Sequence, residues 1–309
     1  MTDAAVDVTT EVRRARRDGR PAFFLLLPAV LVVLGVVGWP LITTILNSFR
    51  RVESALPKAP KPFVGLHNYA YILGDSDFWN AVRNTLYFTF FNTGLEMVLG
   101  VGLGVLMFQP MRGRWLLRVA VILPWALPTV VNAAMWRYYM NADYGPLNAL
   151  LVQTRIRQDY YSFLGSGTSA MNSVILVDVW KNTSLVAFFV LAGLQVIPKE
   201  LYESAQIDGA GALRRFWSVT LPLLRPVLAV VLVLRTIEAF KVFDVIYVMT
   251  RGGPASSTTS LALYAYKTAF SDQLFGIGSA ISLVIVLFCL TLSLFYIRAL
   301  GGSMGPDQS

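Results

Sequence analysis

Six long apolar segments, separated by polar and charged stretches, dominate the pattern of this chain. They occupy residues 21–47, 84–109, 119–140, 173–197, 227–250 and 275–297. A helix needs about 20 apolar residues to cross a bilayer, so each segment is long enough to span a membrane. We predict an all-α integral membrane protein with six transmembrane helices. The first segment is too long for the core of a cleaved signal peptide and is predicted to be a retained anchor.

The composition supports the bilayer as the solvent of this chain. Hydrophobic residues make up 55% of its 309 positions, charged residues make up only 14%, and the mean hydropathy is +0.58. Soluble proteins carry about 25% charged residues. The net charge of +8 would suit nucleic acid, but much of it lies in loops between apolar segments, as the positive-inside rule describes. We therefore predict contact with the lipid bilayer and no binding of nucleic acid.

The distribution of Lys and Arg predicts which loops are cytoplasmic. These residues are more frequent in the N-terminal tail and in the loops after the second and fourth segments than in the other loops. We predict that both termini and the loop 198–225 are cytoplasmic. The chain then divides into a basic tail at 1–20, a transmembrane domain at 21–300 and a second tail at 301–309. The outward loops are 48–80, 141–172 and 251–274.

A compact polar island lies between the fourth and fifth apolar segments. Residues 203–222 read ESAQIDGAGALRRFWSVTLP. A short helix precedes Gly209, and glycine supplies the left-handed backbone that commonly ends a helix. A second short helix follows, and Leu221-Pro222 is predicted to end it. On these residues alone, the 198–225 segment is either a docking element for a partner or an amphipathic helix pair that caps the bundle.

The 198–225 segment resembles the EAA signature of the membrane subunits of bacterial ABC importers, which reads E-A-A, two residues, D-G-A and a spaced L-P. The matching residues are Glu203, Ala205, Asp208, Gly209, Ala210, Leu221 and Pro222, and Ser204 replaces the middle alanine. The resemblance implies the type I ABC importer fold, in which a coupling-helix pair between the fourth and fifth helices docks on a separate ATPase. This chain has no P-loop of its own. The resemblance therefore implies that a partner ATPase binds ATP and Mg²⁺, while this chain holds no cofactor and is not an enzyme.

Two further motifs resemble the carbohydrate-uptake branch of these importers. They are F-V-G-L-H-N-Y at Phe63–Tyr69 and F-K-V-F-D-V-I-Y-V-M-T-R-G-G-P at Phe240–Pro254. The resemblance implies the first permease of a two-permease importer for a di- or oligosaccharide, similar to the maltose, trehalose and glycerol-phosphate systems. It also implies a second permease, an ATPase dimer, an extracytoplasmic sugar-binding protein and a bacterial cell membrane. His67 lies within the first motif and is predicted to be a loop residue.

Charged residues within the fifth apolar segment are candidates for the substrate path, because ionisable groups inside a membrane are costly. A step of three residues separates Arg235, Glu238, Lys241 and Asp244. This spacing stacks them roughly along one helix face, where neighbours of opposite sign can pair. They are either a salt-bridge ladder that stabilises the helix bundle or groups that bind sugar hydroxyls, and both alternatives stay open.

Sugar sites combine polar groups that bind hydroxyls with an aromatic ring that covers the apolar face of the sugar. The candidates for such contacts outside the charged run are Asn132, Trp136, Trp180, Lys181, Asn182 and Tyr247. Tryptophan and tyrosine near the ends of membrane helices also act as interfacial anchors, so that alternative stays open for the aromatic rings. Glu96 and Asp178 are candidate packing partners for nearby cations.

A secondary transporter or channel for a small polar solute, using the charged fifth segment, is the competing function. It is expected to have inverted repeats and broken helices, which the sequence does not show, and it leaves residues 203–222 without a role. A membrane enzyme is a third hypothesis. With one His and one Cys, Cys289, the chain lacks the residues for a zinc site or a Cys/His dyad.

Overall fold

The computed structural model describes residues 25–53 and 60–301. The predicted tails at 1–20 and 301–309 lie outside the described residues, apart from Gly301. Within the described ranges the chain is helical, and its one extended pairing is an isolated antiparallel bridge between Arg50 and Phe63. The prediction of an all-α fold is confirmed.

We number the helices of the described residues in chain order. The helices of the first half are α1 (Leu25–Ser48), α2 (His67–Gly74), α3 (Ser76–Phe108), α4 (Arg114–Ala126), α5 (Thr129–Tyr139) and α6 (Pro146–Gln153). Those of the second half are α7 (Gly167–Val196), α8 (Lys199–Ile207), α9, α10 (Asp244–Met249), α11 (Leu261–Tyr266) and α12 (Phe275–Gly301). Helix α9 comprises Ala212–Arg215, the π-helical turn Phe216–Thr220 and Leu221–Phe240 without a break.

The long apolar helices agree with the predicted spans. In the described residues, α1, α3, α7, α9 with α10, and α12 are long and apolar enough to cross a membrane, and the bent pair α4 and α5 is a sixth candidate. Several of them begin earlier than predicted, among them α3 at Ser76 and α7 at Gly167. Polar residues extend these helices beyond their apolar cores. Asp75 caps the start of α3 by accepting a hydrogen bond of 2.9 Å from the amide of Asp77.

The third predicted span is not a single helix. Helices α4 and α5 meet at an angle of 97°. Leu127, between them, has an extended backbone with φ −74° and ψ 135°. The ring of a proline disfavours helical backbone at the residue before it, and Pro128 follows Leu127. Pro124, in contrast, lies inside α4.

The prediction that Leu221-Pro222 ends a helix is wrong, because α9 runs through both residues. The amide of Leu221 bonds to the carbonyl of Phe216, five residues earlier. Proline has no amide hydrogen and crowds the preceding turn, and local π-helical adjustments allow membrane helices to tolerate it. The fifth apolar segment is interrupted near its other end instead, where α9 ends at Phe240 and α10 begins at Asp244.

Helices α3 and α7 share the most extensive contact in the described fold. Glycines of α3 allow this approach. A Cβ atom on Gly100 would lie 2.5 Å from Cβ of Val186, and one on Gly104 would lie 2.6 Å from Cγ1 of Val190. Small residues allow membrane helices to pack with their backbones close together. With α9 beside them, α3 and α7 form the centre of the bundle, while α1 packs on α12 at its edge.

The loops separate into two ends of the bundle. The 198–225 segment lies beside the end of α3, and a small cavity there is lined by residues that include Phe108 and Tyr202. At the opposite end, the Asn84 side chain near the start of α3 donates a hydrogen bond of 3.1 Å to the carbonyl of Ser256. The 250–274 loop therefore lies far from the 198–225 segment.

Candidate functional site

A polar cavity of about 530 Å³ lies where the two interrupted spans meet. Trp125 and Thr129 line it from the two sides of the α4–α5 bend, and Phe243 lines it from the break between α9 and α10. The third wall comes from α7. A helix break leaves backbone groups without helical partners, which membrane proteins tolerate where the backbone is buried in protein or lines a cavity. Both helix breaks in the described spans therefore lie at the wall of a polar cavity, where backbone groups without helical partners are tolerated.

The structure brings together six of the ten candidates for the substrate path. These six residues line the cavity, namely Lys181, Asn182, Arg235, Glu238, Lys241 and Asp244. Asn132, Trp136, Trp180 and Tyr247 do not. The sequence prediction missed Trp125, Thr129 and Phe243. The sequence feature that could have identified Trp125 and Thr129 is their position on either side of Leu127-Pro128.

The predicted salt-bridge ladder along the fifth span is formed at one step only. Lys241 Nζ lies 2.8 Å from Glu238 Oε1, and both side chains are about half exposed. Arg235 pairs with Glu96 of α3 instead, and Asp244 forms no ion pair within the described residues. The reason is that α9 ends at Phe240, so the helical spacing that predicts the ladder stops before Asp244.

A buried ionic network lies behind the cavity. Arg235 donates from Nε to Glu96 Oε2 at 2.7 Å and from Nη2 to Glu96 Oε1 at 2.8 Å, and Nη2 lies 3.7 Å from Asp178 Oδ2. Asn92 Nδ2 donates to Glu96 Oε1 and to Asp178 Oδ2, at 2.9 Å each. All four side chains are buried, and Glu96 is completely so. The network joins α3, α7 and α9, with Glu96 and Asp178 as partners of a cation.

The 198–225 segment forms a helix, a tight turn and a second helix. Helix α8 ends before Gly209, whose φ of +74° is left-handed, and α9 starts after the extended Gly211. Glu203, Ser204 and Asp208 are exposed, while Ala205 and Ala210 are partly buried. Several apolar side chains of this segment also face outward, namely Leu201, Ile207, Leu213 and Trp217. The rest of the described chain does not cover these side chains. The segment therefore exposes an apolar surface of the kind that contacts other proteins.

Residues 96–300 match the protein family described as the binding-protein-dependent transport system inner membrane component. The chain belongs to this family. Among relatives of the permease, the trehalose/maltose transport system permease protein MalF of Thermococcus litoralis is 40% identical over 282 residues, 91% of this chain and 94% of the relative. The sulfoquinovosyl glycerol transport system permease protein SmoG of Agrobacterium fabrum is 35% identical over 277 residues, 90% of this chain and 89% of the relative.

Solved structures show the fold of the permease. It is similar to a chain in the crystal structure of a bacterial alginate ABC transporter in complex with an alginate pentasaccharide-bound periplasmic protein, with a TM-score of 0.81 and 22% identity. The match covers 93% of the permease and 96% of that chain. The type I ABC importer fold that the EAA-like residues predict is therefore confirmed. The permease is a multi-pass membrane protein.

The remaining predicted path residues of the permease lie next to the cavity or outside it. Trp136 and Trp180 pack edge to face with ring centroids 5.4 Å apart. Tyr247 stacks on Phe243, a residue of the cavity wall, with ring centroids 5.3 Å apart. Asn132 is 1% exposed, and neither its Oδ1 nor its Nδ2 has a hydrogen-bond partner in the described part of the chain. These side chains are not part of the cavity lining.

Three other features of the permease concern metal ligands, Cys289 and His67. In the described part of the chain, no group of three or more His, Cys, Asp or Glu side chains could hold a metal ion. Cys289 is a free thiol that packs against a hydrophobic cluster containing Ile281. His67, predicted in a loop, is the first residue of α2.

Proposed function

We propose that the permease is one of two membrane subunits of an ATP-driven importer that carries a di- or oligosaccharide into the cell. One observation carries the proposal, namely that α9 is a single helix running from the 198–225 segment to the polar cavity. At 1.5 Å per residue, Ala212 at its start and Arg235 in the cavity wall are about 35 Å apart along the axis. A displacement at the first position is therefore passed to the second by a rigid element.

The 198–225 segment has the properties of a surface that receives a partner. Ile207 and Leu213 are 87% and 73% exposed, which favours burial against another protein. The small residues Gly209 and Ala210 allow a close approach, and the exposed Glu203 is available to a basic group. In the proposed mechanism, a partner ATPase binds ATP and Mg²⁺ and closes, and the 198–225 segment moves with it. The permease itself performs no hydrolysis.

The cavity suits a sugar. Its volume of about 530 Å³ is within the range of roughly 300–1,000 Å³ for small-molecule sites. Asn182, Lys181 and Thr129 supply hydrogen-bonding groups for hydroxyls, and Trp125 and Phe243 supply aromatic faces for the apolar side of a pyranose ring. The names of the two relatives refer to trehalose, maltose and sulfoquinovosyl glycerol. These compounds are all glycosides, which supports a carbohydrate as the substrate.

The proposal includes a second permease and an extracytoplasmic binding protein. Helix α1 has no buried residue in its most apolar window, so a large apolar surface is available to lipid and to a partner subunit. The similar alginate transporter was solved with a substrate-bound periplasmic protein. We place this kind of partner at the end of the bundle opposite the 198–225 segment. Both termini and the 198–225 segment then lie in the cytoplasm of a bacterial cell.

A secondary transporter is the alternative, and the α4–α5 bend is one observation in its favour, because such transporters use broken helices around their sites. The family to which the chain belongs and the outward-facing apolar residues of the 198–225 segment favour the importer. A transporter of the alternative kind would work without a partner. The two functions therefore differ in whether the permease alone can move a solute.

The test is reconstitution of the permease in lipid vesicles with and without its proposed partners. Radiolabelled trehalose and maltose are the probes. Uptake is expected only with the second permease, the ATPase, the binding protein and ATP present. Asn182→Ala and Trp125→Ala are expected to lower uptake about tenfold, while Thr291→Ala, on the exposed face of α12, serves as the control. Sugar uptake by the permease alone in ATP-free vesicles would overturn the proposal.

A further inference from the structure

We infer that Glu96 is a positioning residue for the cavity: it is buried behind the wall, and it fixes the guanidinium group of Arg235 in that wall. The inference rests on the proposed function, because it takes the cavity as the substrate site. Arg235 lines the cavity, and Glu96 does not. Glu96 is 0% exposed and belongs to α3, whereas Arg235 belongs to α9. Its carboxylate therefore does not face the cavity, and its direct contact with a charged residue of the wall is with Arg235.

Glu96 and Arg235 form a bidentate ion pair. Nε and Nη2 of Arg235 donate to the two carboxylate oxygens at 2.7 and 2.8 Å. Such paired hydrogen bonds set the orientation of a guanidinium plane as well as its distance. Within the described residues, Nη1 of Arg235 donates no hydrogen bond. Nη1 is therefore the nitrogen left to donate to a hydroxyl of a bound sugar.

A second side chain of α3 contacts another cavity residue, Asp178, through a single hydrogen bond. Asn92 lies one helical turn before Glu96 and donates from Nδ2 to Oε1 of Glu96 and to Oδ2 of Asp178. Asp178 lines the cavity, while Asn92 does not. Two adjacent positions of α3 thus fix two cavity residues of opposite charge that come from α7 and α9. Sites need such supporting contacts to hold their geometry.

Stability alone does not explain this arrangement. A buried ion pair contributes little net stability compared with apolar side chains of the same size, and the positions lie in a bundle with an apolar core. What the ionic pair adds is an arginine held in one orientation at the wall of a polar cavity. An apolar pair at positions 96 and 235 would leave that wall without a fixed donor.

The test is the number of ATP molecules hydrolysed for each trehalose imported by the complete reconstituted transporter. In Glu96→Gln, which keeps the shape of the side chain, we expect this ratio to rise about tenfold, as for loss of a hydrogen bond to a charged group. In an Arg235→Gln background, Glu96→Gln is expected to cause no further rise. Thr93→Val is the matched control, because Thr93 is also buried on α3 and its hydroxyl has no hydrogen-bond partner among the residues that the structure describes. We expect its ratio to equal that of the wild type.

A purely structural role would lower ATP hydrolysis and import in proportion, and an unchanged ratio in Glu96→Gln would overturn the inference. A structure of the Glu96→Gln transporter gives a second readout that needs no sugar. We expect Arg235 to have left the wall, and an unmoved guanidinium group would also overturn the inference. Lys181→Ala and Asn182→Ala distinguish failure of the proposed substrate site from failure of the role of Glu96. If they leave import unchanged, the proposed site fails; if they abolish it while Glu96→Gln has no effect, only the role of Glu96 fails.

Discussion

Tyr202 Oη lies 3.1 Å from Thr220 Oγ1, and this contact joins α8 to the start of α9. Thr220 is buried in the π-helical turn, two residues before Pro222. The two helices of the 198–225 segment are therefore connected through their side chains as well as through the turn at Gly209. A partner that moves α8 moves α9 with it.

Tyr202→Phe removes this hydrogen bond and leaves the ring in place. We expect ATP hydrolysis stimulated by the sugar-loaded binding protein to fall about two- to tenfold, which corresponds to about 0.5–1.5 kcal/mol for one hydrogen bond. The measurement is stimulated ATPase activity in vesicles. Tyr144→Phe is the control, because Tyr144 is exposed and its hydroxyl makes no hydrogen bond within the described residues. Equal activity of the two variants would show that the contact does not transmit motion.

Gly209→Ala tests the left-handed turn between α8 and α9. The φ of Gly209 is +74°, whereas that of Gly211 is −64°, and a Cβ at either position would meet nothing within 4 Å. A side chain in left-handed backbone costs about 1–2 kcal/mol. We expect Gly209→Ala to lower stimulated ATPase activity and Gly211→Ala to leave it at the wild-type value. A similar loss in both variants would point to crowding by a partner instead of backbone strain.

Ile207→Asp tests whether the exposed apolar side chains of the 198–225 segment contact a partner. Ile207 is 87% exposed, and Ile156, at the opposite end of the bundle, is 71% exposed. A charge in a protein interface loses its hydration, so we expect Ile207→Asp to abolish copurification of the ATPase subunit. Ile156→Asp is expected to retain the ATPase. Both variants should insert into the membrane in wild-type amounts, and retention of the ATPase by Ile207→Asp would contradict the docking surface.

Gly104→Ala tests the close contact of α3 with α7. The new Cβ would lie 2.6 Å from Val190 Cγ1 and 2.9 Å from the carbonyl oxygen of Ala187. Overpacking of this kind costs about 1–3 kcal/mol, so the midpoint of thermal unfolding in detergent should fall. Gly102→Ala lies on the same helix with nothing within 4 Å of its Cβ, and its midpoint should not fall, because alanine favours the helix more than glycine does. Equal midpoints for the two variants would show that the helices separate without loss of stability.

The prolines show how far local sequence reaches in this fold. Pro124, Pro128 and Pro222 all occur near or within apolar segments, where a proline can break a helix. Pro124 lies inside α4 and Pro222 inside α9, whereas the backbone bends before Pro128. A proline removes the same amide in all three cases. Whether the helix bends, widens or continues depends on what packs around it.

The ion pairs of the candidate site show the same limit of prediction from local sequence. The spacing of Glu238 and Lys241 predicts their contact, because both lie within one helical turn. The partner of Arg235 is Glu96, 139 residues away in the chain. The spacing of charged residues within one helix cannot predict a contact between such distant positions. Asn182 was a candidate by residue type, but Thr129 was not, because its relation to the cavity depends on the α4–α5 bend.

Local properties of the chain account for its membrane spans, for the helical class of the fold, and for the turn at Gly209 with the EAA-like residues around it. Apolar length and glycine backbone preference depend only on residues that are neighbours in the sequence, so the sequence alone predicts their effects. Tertiary packing alone sets the polar cavity, the Glu96–Arg235 contact and the single helix from Ala212 to Phe240. Each of these depends on which distant segments face one another, and the burial of a whole bundle determines that choice.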